Sequence, residues 1–521
     1  MRVVFRVDAS TKMGSGHVMR CLTLAEELKK DGADITFISR SHEGNLNEFI
    51  SKNGIEVVAL SEPETFEHDS TKIDGDDYSE WLGVSQEQDA EESIKTLVHD
   101  PSDWLIVDHY GLDETWEKMI RPHVKNIMVI DDLANRRHDC DILLDQNWFE
   151  DMVTRYDGLV PVGCTKLLGP EYALLRPEFA KARKKLNPHN GNVKRIFVFF
   201  GGSDPHNLTS MTLRALSEPA LAYLKVDLVI GENNPHHNEL KKLTAFRAST
   251  YLHVQVDDMA SIMTNADLAI GSGGVNTWER MCLGIPSLII SFADNHIIML
   301  QDLVQHGFVN FLGNITNVDE FVIKKGVLDI ISDRSLIKDQ SIKIYKLVDG
   351  SGSQTVTDWL IGDLSNKNWE VKSTTNEYME LYWVWANDKQ VRKNSINKEP
   401  IPFNIHKEWF HNKLVDNNCS LYLILIDKHP VGQVRFENEG NFARIDYSIA
   451  RQFRGRKLGK KILDEAIKEY QIHSDKKILG EVLPNNIASA KTFESLGFSM
   501  ETNKGKKIYT KESKDLAKVN A

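Results

Sequence analysis

Short apolar runs alternate with longer amphipathic stretches over the first two-thirds of the chain. The apolar runs predict strands at residues 3–7, 35–38, 103–108, 126–131 and 141–144, and a second series at 195–200, 226–230, 253–256, 267–270 and 287–292. Apolar positions at helical spacing follow the first strand, from Val18 to Leu28. Near-continuous apolar strands separated by helices are typical of parallel sheets covered on both faces. We therefore predict two successive α/β domains, at residues 1–180 and 190–364, with an acidic loop and surface helix within 62–92.

The pattern changes beyond a polar stretch at residues 365–368, which is a candidate linker. Helices are predicted at 377–391 and 460–470, and strands at 421–426, 431–437 and 443–450. Strands that follow one another before the next helix indicate an α+β arrangement. We predict a third domain at residues 372–515.

Composition and charge narrow the class of protein. A length of 521 residues suits about three domains, and 41% hydrophobic with 26% charged residues is ordinary for a soluble protein. The net charge of −12 argues against general binding to nucleic acid or to acidic membranes. The apolar runs are too short for a signal peptide or a membrane helix. The 5 cysteines form no CxxC pair, so we expect a reduced, cytoplasmic protein without a metal site.

The loop after the first strand carries the first candidate chemistry. Gly14 and Gly16 precede His17 at the start of a helix, where free amides and the helix dipole favour anions and a neutral imidazole. Such an imidazole can accept a proton. Arg20 lies one turn further on, and we expect Asp8, at the strand end, to orient His17 or Arg20. A helix cap, a buried histidine and a surface salt bridge are the structural alternatives.

This loop does not predict a dinucleotide site. Met19 occupies the position where the dinucleotide fingerprint has its third glycine, and the second strand ends in Ser39 and Arg40 without an acidic residue for a ribose. A nicotinamide cofactor is therefore not expected here.

A second glycine-rich loop is a stronger candidate for a phosphate site. Ser272, Gly273 and Gly274 precede the helix predicted at 275–282, so backbone amides can approach a phosphate. Glu279 on that helix can accept hydrogen bonds from both hydroxyls of a ribose. The loop containing Gly202 is expected to close over the same ligand. A tight turn with a solvated glutamate is the alternative.

An ordered set of motifs resembles the UDP-sugar hydrolases of pseudaminic acid biosynthesis. It comprises residues 7–10, 14–21, 108–111, 131–134, 172–179, 201–204 and 272–274. That family cleaves UDP-2,4-diacetamido-2,4,6-trideoxy-β-L-altropyranose to UDP and the free sugar, with a glycosyltransferase-B pair of Rossmann-like domains. The resemblance implies a catalytic site with His17 as general base, together with Asp8, Arg20 and Tyr110. It implies a UDP-sugar site at Gly14, Gly16, Gly202, Ser272, Gly273, Gly274, Glu279 and Asn295; His296 replaces the family's glutamine.

A third loop lies in the α+β region. Residues 454–459 join a strand to a helix with several cations and amides, which suits a pyrophosphate as well as it suits a basic surface turn. Together with Asn486 and residues 493–498, this loop resembles the GNAT acetyltransferases over about residues 372–512. The resemblance implies acetyl-CoA as cosubstrate, bound by Arg454, Gly455, Arg456, Lys457, Leu458, Gly459, Lys460 and Asn486.

Two residues depart from the GNAT pattern. Lys457 replaces a glycine, which places more demand on the backbone, and Phe493 replaces the tyrosine that protonates the leaving thiolate. Spacing leaves Glu437, Asp446 and Glu481 as candidates for the base that accepts the amine proton.

The two resemblances fit consecutive reactions, because N-acetylation of the 4-amino UDP-sugar makes the substrate of the hydrolase. We therefore predict a bifunctional enzyme. The alternatives are a glycosyltransferase of the same fold and a nucleotide-sugar-binding protein with a non-catalytic GNAT-like domain.

Overall fold

The computed structural model describes residues 1–63, 78–99, 101–291, 297–395, 397–503 and 505–512. The first sheet is seven-stranded and parallel, in the order β3-β2-β1-β4-β5-β6-β7. Its strands are β1 (Arg2–Val7), β2 (Asp34–Arg40), β3 (Glu56–Leu60), β4 (Ser102–Asp108), β5 (Val124–Ile130), β6 (Ile142–Asp145) and β7 (Thr165–Leu168). The helices in this part of the chain are α1 (Gly16–Lys30), α2 (Asn47–Lys52), α3 (Ser79–Leu82), α4 (Gln86–His99), α5 (Glu114–Ile120) and α6 (Pro177–Arg183), the last of which packs against helices of the second unit.

The two faces of the first sheet are covered by different helices. Alternate side chains of a strand point to opposite faces. On β1, Phe5 and Val7 pack in the cluster that contains α1, whereas Val4 packs with Ala90 and Leu97 of α4. Arg6 and Asp8 therefore share the α4 face. The predicted surface helix corresponds to α4, while residues 64–77 lie outside the described part of the chain.

The second sheet is six-stranded and parallel, in the order β10-β9-β8-β11-β12-β13. Its strands are β8 (Arg195–Phe199), β9 (Lys225–Ile230), β10 (Thr250–Val254), β11 (Leu268–Gly271), β12 (Ser287–Ser291) and β13 (Asn310–Asn314). The helices that follow β8 are α7 (Leu208–Leu216), α8 (His237–Phe246), α9 (Met259–Met263), α10 (Asn276–Cys282), α11 (Ile297–Gln305), α12 (Glu320–Ser332), α13 (Arg334–Leu347) and α14 (Gly352–Ile361).

In both sheets the strand order reverses between the first and fourth strands of the series, at β1/β4 and at β8/β11. Ligands of open parallel sheets bind outside the carboxyl ends of the strands at such a reversal. The predicted glycosyltransferase-B-like pair of Rossmann-like domains is confirmed. Sequence patterns missed β3 and β13 because these edge strands are only partly buried and lack a continuous apolar run.

The third sheet is mixed and seven-stranded, in the order β14-β15-β16-β17-β18-β20-β19. Its strands are β14 (Trp369–Ser373), β15 (Cys419–Ile426), β16 (His429–Glu439), β17 (Phe442–Ile449), β18 (Lys477–Val482), β19 (Ser499–Asn503) and β20 (Lys506–Lys511). Its helices are α15 (Met379–Asn387), α16 (Lys389–Lys393), α17 (Phe403–Val415), α18 (Leu458–His473) and α19 (Ile487–Ser495). The helix predicted at 377–391 is interrupted by Asp388, which caps α16 through Gln390 N and Val391 N.

A wedge opens in the third sheet between β17 and β18. Their parallel pairing ends at Ile445 and Gly480, although β17 continues to Ile449 and β18 turns to pair with β20. This is the predicted α+β GNAT domain, and the wedge gives access to the space between two strands of its sheet.

The helix α14 joins the first and third sheets rather than closing the second. It packs against α1, and one continuous hydrophobic cluster contains Val356, Trp359 and Leu360 of α14 together with core residues of both sheets. The second domain was predicted to run to residue 364. In the structure the chain has already returned to the first unit at residue 352, because the apolar face of α14 is buried there.

The third unit docks at the edge of the first sheet where the strands begin. Trp104 Nε1, on β4, donates to Leu360 O at 3.1 Å. Arg451 Nη2 donates to Lys125 O at 2.7 Å, and Gln452 Nε2 donates to Thr165 Oγ1 at 3.0 Å. The opposite edge of the sheet, where the strands end, is left open to the second unit. Within the described ranges, no helix is both long and apolar enough to cross a membrane.

His429 makes this interface sensitive to pH. Its ring meets Trp359 edge-on at 5.1 Å, its Nε2 lies 3.4 Å from Tyr172 Oη, and burial lowers its pKa from 6.5 to about 4. The unfolded chain therefore binds more protons than the folded chain between these values, so stability falls as pH drops from about 6.5 towards 4. We expect a loss of about 1–3 kcal/mol over this window.

The prediction is measured as the free energy of unfolding of the full chain between pH 4.5 and 7.5. Other groups also titrate in this range, so the relevant quantity is the difference between wild type and His429→Gln. The stability of wild type relative to His429→Gln should fall as the pH drops from about 6.5 towards 4.5. Parallel curves for the two proteins would contradict it.

Candidate active sites

His17 and Asp108 form a buried pair at the carboxyl edge of the first sheet. His17 Nδ1 lies 2.6 Å from Asp108 Oδ1, and Asp108 is fully buried. An ionised carboxylate is an acceptor only, so Nδ1 carries a proton, and in the neutral ring Nε2 keeps its lone pair. Burial alone would favour protonated Asp108, but the charge of Arg20 and the hydrogen bonds from Arg20 and His17 hold its pKa below the usual value. The arrangement provides an oriented base.

Arg20 connects this pair to Asp132, which follows β5. Its Nε and Nη2 donate to both oxygens of Asp108 at 2.6 and 2.7 Å, and its Nη1 lies 3.4 Å from Asp132 Oδ2. Tyr110 donates to Asp132 Oδ1 at 2.5 Å, and its ring meets His17 edge-on at 4.7 Å. The structure therefore brings together three of the residues predicted for catalysis, namely His17, Arg20 and Tyr110.

Asp8 does not take the orienting position that we predicted for it. Its carboxylate bonds Arg6 at 2.6 and 2.9 Å and accepts from Arg40 N at 2.7 Å. It belongs to a buried network with Asp89 on the α4 face of the sheet. Asp108 takes the predicted role because it lies on the α1 face, as Trp104 and Ile106 of the same strand do.

Trp81 extends the wall beside His17. Its ring stacks on Tyr110 at 5.4 Å and meets His17 edge-on at 6.1 Å, and Tyr78 packs on both Trp81 and Tyr110. These rings give the histidine an aromatic border on one side. Sequence reasoning missed Trp81 because it stands in an acidic stretch with weak periodicity.

The second glycine loop joins β11 to α10. Gly271 cannot carry a Cβ, since that atom would lie 2.5 Å from Phe199 O of the neighbouring strand. Arg280 is fully buried beneath the loop and donates to Ser272 O at 2.6 Å. Among the described residues its Nε and Nη1 have no hydrogen-bond partner, and burial lowers its pKa to about 10. The positive charge of this buried guanidinium lies next to the loop, which favours an anion there.

Glu279 lies close to this loop, on α10. It is 6% exposed, and its Oε1 lies 3.4 Å from Arg176 Nη2. Asn276 donates to its other oxygen. Burial raises the pKa of Glu279, and the charge of Arg176 opposes that rise. A carboxylate held in this way can accept hydrogen bonds from vicinal hydroxyls.

Asn147 links the site around His17 to α10 of the second unit. Its Nδ2 donates to Asp132 Oδ2 at 3.2 Å, and its Oδ1 accepts from Trp278 Nε1 at 3.0 Å. Trp278 belongs to α10, the helix that also carries Glu279. A chain of polar contacts therefore runs from His17 through Arg20 and Asp132 to the helix after the second glycine loop.

The other predicted UDP-sugar residues have the following positions. Gly14 has a φ of +75°, and a Cβ on Gly14 or Gly16 would meet no atom within 4 Å, so the first loop borders open space. Gly202 lies after β8 and accepts from Gly231 N at 2.9 Å. Gly273 packs against Leu300, with a prospective Cβ at 3.0 Å. Asn295 lies outside the described residues.

A cavity of about 1160 Å³ fills the wedge of the third unit. Its lining includes Arg454, Gly455, Lys457, Leu458, Gly459 and Asn486 from the predicted acetyl-CoA set. Asn486 caps α19 by accepting from Ser489 N at 3.2 Å. The first residues of α18, Leu458 and Gly459, line this cavity beside Lys457, and the amides of a helix start suit a pyrophosphate.

Two predicted acetyl-CoA residues do not line the cavity. Lys460 is an exposed residue of α18, and Arg456 turns to the opposite side of the loop. Lys457 has a φ of +61°, the left-handed region that a glycine adopts without strain. The expected demand on the backbone at Lys457 is therefore present.

Phe493 is buried at the cavity wall between aromatic neighbours. Its ring stacks on Tyr509 at 5.3 Å and meets Tyr447 edge-on at 6.1 Å. Tyr447 also lines the cavity, and its hydroxyl donates to Ser489 Oγ at 3.1 Å. The cavity thus contains a tyrosine hydroxyl on β17 although residue 493 has none.

The structure distinguishes among the three carboxylates that sequence spacing left as candidates for the base that accepts the amine proton. Asp446 and Glu481 line the cavity. Glu437 is not among the lining residues and lies 3.1 Å from Lys413 and 3.3 Å from Arg435. A hydrogen bond from Lys506 lowers the pKa of Glu481. Asp446 has the more exposed side chain, at 59%, and forms an ion pair with Arg435 at 3.4 Å.

Comparisons with known proteins agree with this division of the chain. Residues 196–343 match the glycosyltransferase family 28 C-terminal domain, and residues 377–498 match the acetyltransferase (GNAT) family. An uncharacterized protein of Methanocaldococcus jannaschii is 25% identical over 538 aligned positions, which cover 97% of this chain and 98% of that protein.

Two further relatives align with the N-terminal part of the chain. The UDP-2,4-diacetamido-2,4,6-trideoxy-β-L-altropyranose hydrolase of Campylobacter jejuni is 26% identical over 308 positions, 59% of this chain and 98% of the hydrolase. The spore coat polysaccharide biosynthesis protein SpsG of Bacillus subtilis is 23% identical over 373 positions, 68% of this chain and 97% of SpsG.

Proposed function

We propose, from a chain that joins a part homologous to a UDP-sugar hydrolase to a GNAT domain, that this protein is a bifunctional enzyme of nucleotide-sugar metabolism. Its C-terminal unit transfers an acetyl group from acetyl-CoA to the 4-amino group of a UDP-amino sugar. Its N-terminal pair of domains then hydrolyses UDP-2,4-diacetamido-2,4,6-trideoxy-β-L-altropyranose to UDP and the free sugar. The reactions belong to pseudaminic acid biosynthesis.

The geometry of His17 carries the hydrolase half of this proposal. Asp108 fixes the Nδ1 proton, so Nε2 is available to take a proton from water. The water oxygen forms a bond to the anomeric carbon while the bond from that carbon to the diphosphate oxygen breaks. The proton goes to His17 Nε2, UDP leaves with the electron pair, and the configuration of the anomeric carbon is inverted.

The second glycine loop supports the leaving group in this scheme. Ser272, Gly273 and Gly274 would bind the diphosphate, and Glu279 the ribose. Stabilisation of a developing negative charge by fixed amides is a large part of such catalysis. The charge of Arg280 under Ser272 O adds to the same field.

The acetyltransferase half rests on the cavity in the wedge. The amine nitrogen attacks the thioester carbonyl carbon, the carbon–sulfur bond breaks, and the amine proton goes to a carboxylate, for which Asp446 is best exposed. CoA leaves as a thiolate and takes a proton from a hydroxyl of the cavity. Tyr447 offers that hydroxyl, which favours an active domain over a non-catalytic one despite Phe493.

The test supplies the full chain with UDP-4-amino-4,6-dideoxy-N-acetyl-β-L-altrosamine and acetyl-CoA. We expect CoA, UDP and the free diacetamido sugar in equal amounts, identified by mass spectrometry, and we expect the same result in EDTA. Failure to release CoA would refute the C-terminal half. UDP release that requires an added sugar acceptor would show a glycosyltransferase instead of a hydrolase.

A further inference from the structure

The loop at residues 451–458 contacts different parts of the molecule on its two faces. One face lines the cavity of the third unit through Arg454, Gly455, Lys457 and Leu458. The other face meets the N-terminal unit through Arg451, Gln452 and Arg456. The same short segment is therefore a wall of the predicted acetyl-CoA site and a docking contact between domains.

Arg456 makes the most enclosed of these contacts. Its Nη1 donates to Trp359 O, and its guanidinium carbon lies 5.2 Å from the ring centre of Trp104. A Cβ on Gly362, whose φ is +81°, would be 2.4 Å from Arg456 Cδ, so a larger residue at position 362 would collide with the arginine side chain. Burial lowers the pKa of Arg456 to about 10.

Gln452 fixes the first turn of the loop. It is 3% exposed, and its Nε2 donates to Gly163 O at 3.1 Å and Thr165 Oγ1 at 3.0 Å. These partners lie at the start of β7 in the first sheet. Arg451 adds the contact to Lys125 O. The N-terminal unit therefore holds the loop at both ends of its outer face.

The inner face of the loop needs such support. Gly455 and Lys457 have positive φ values of +77° and +61°, and a lysine keeps such a strained conformation only where its surroundings impose it. A loop free to leave this conformation must be ordered again by each ligand, which weakens binding.

We propose that the N-terminal unit completes the acetyl-CoA site. Through Arg456 and Gln452, it contacts the face of the loop at residues 451–458 that points away from the cavity, and it thereby holds the loop in the conformation that binds the pyrophosphate. This inference rests on the proposed acetyltransferase function. Arg456 is a positioning residue in this arrangement, not a ligand of CoA. Coupling between two sites is reciprocal, so CoA also tightens the contact between the units.

The experiment titrates CoA into the full chain by calorimetry, for wild type, Arg456→Ala and Gln452→Leu. Each variant should raise the dissociation constant about fivefold to a hundredfold. In acetyl transfer, KM for acetyl-CoA should rise while kcat stays within about twofold, because neither residue reaches the cavity. Lys461→Ala is the control, since it removes a cation one turn away that lies over Trp369 instead of the N-terminal unit.

Hydrogen exchange gives a second readout in the same proteins. CoA should slow exchange of amides at residues 161–168 and 359–364 in wild type and in Lys461→Ala, but not in Arg456→Ala. Equal CoA affinity in wild type and both variants would overturn the inference. A wild-type chain that binds no CoA would refute the proposed acetyltransferase and the inference with it, which separates the two failures.

Discussion

Replacing His17 with asparagine is expected to slow UDP release by about a hundredfold to ten-thousandfold and to leave UDP binding intact. The asparagine amide can still donate to Asp108, so the buried carboxylate keeps a partner. The asparagine has no basic nitrogen in place of Nε2, so it cannot accept the proton of the attacking water. The predicted UDP contacts at Ser272 and Glu279 belong to the second unit and are unchanged.

The measurement compares UDP release with UDP affinity in the same preparation. His253→Asn is a matched control, because His253 lies on the edge strand β10 and bonds Asp227 of β9, and β9 and β8 separate it from β11 and the second glycine loop. It should retain wild-type turnover. Wild-type turnover in His17→Asn would remove His17 from the mechanism.

Asp108→Asn is expected to lower both activity and stability. Asp108 accepts from His17 Nδ1 and from two nitrogens of Arg20, all within 2.7 Å. An amide no longer fixes the tautomer that exposes the Nε2 lone pair, so UDP release should fall by about two to four orders of magnitude. It also leaves the buried charge of Arg20 without its main partner, at a cost of about 3–5 kcal/mol.

Asp8→Asn separates the two effects. Asp8 is as buried as Asp108, but its carboxylate is bound to Arg6 instead of His17. Denaturant unfolding should show a comparable loss of stability in both variants, whereas UDP release should collapse only in Asp108→Asn. Equal activity losses in the two variants would mean that Asp108 acts only through the stability of the fold.

The two parallel sheets and most of their strands were predicted from the sequence, whereas the order of the strands within each sheet was not. Buried parallel strands such as β1, β4 and β8 are continuous apolar runs, which no other element of this length resembles closely. The edge strands β3 and β13 have partly exposed side chains and gave no such signal.

The choice between Asp8 and Asp108 depends on which face of the sheet carries α1. Side chains two residues apart share a face, so Phe5 and Val7 face α1 while Arg6 and Asp8 face α4. The period was visible in the sequence. What the sequence lacked was the position of α4, whose Asp89 receives Arg6 and marks the other face.

The docking role of Arg456 could not be predicted from the sequence for a different reason. Its place in a cationic loop suggested a phosphate ligand, and nothing local distinguishes it from Arg454. The distinction comes from Trp104 and Trp359, which lie far away in the chain and meet the loop only after the units dock.

The docking edge of the first sheet has a consequence for metabolic flux. His17 and Asp108 lie where its strands end, whereas the third unit is attached where they begin, and the seven residues of β4 alone separate these edges by about 20 Å. For the proposed pair of reactions, the acetylated intermediate has to cover at least this distance from one site to the other. Fusion then fixes the ratio of the two catalytic units at one to one when the chain is synthesised, without a channel that carries the intermediate between their sites.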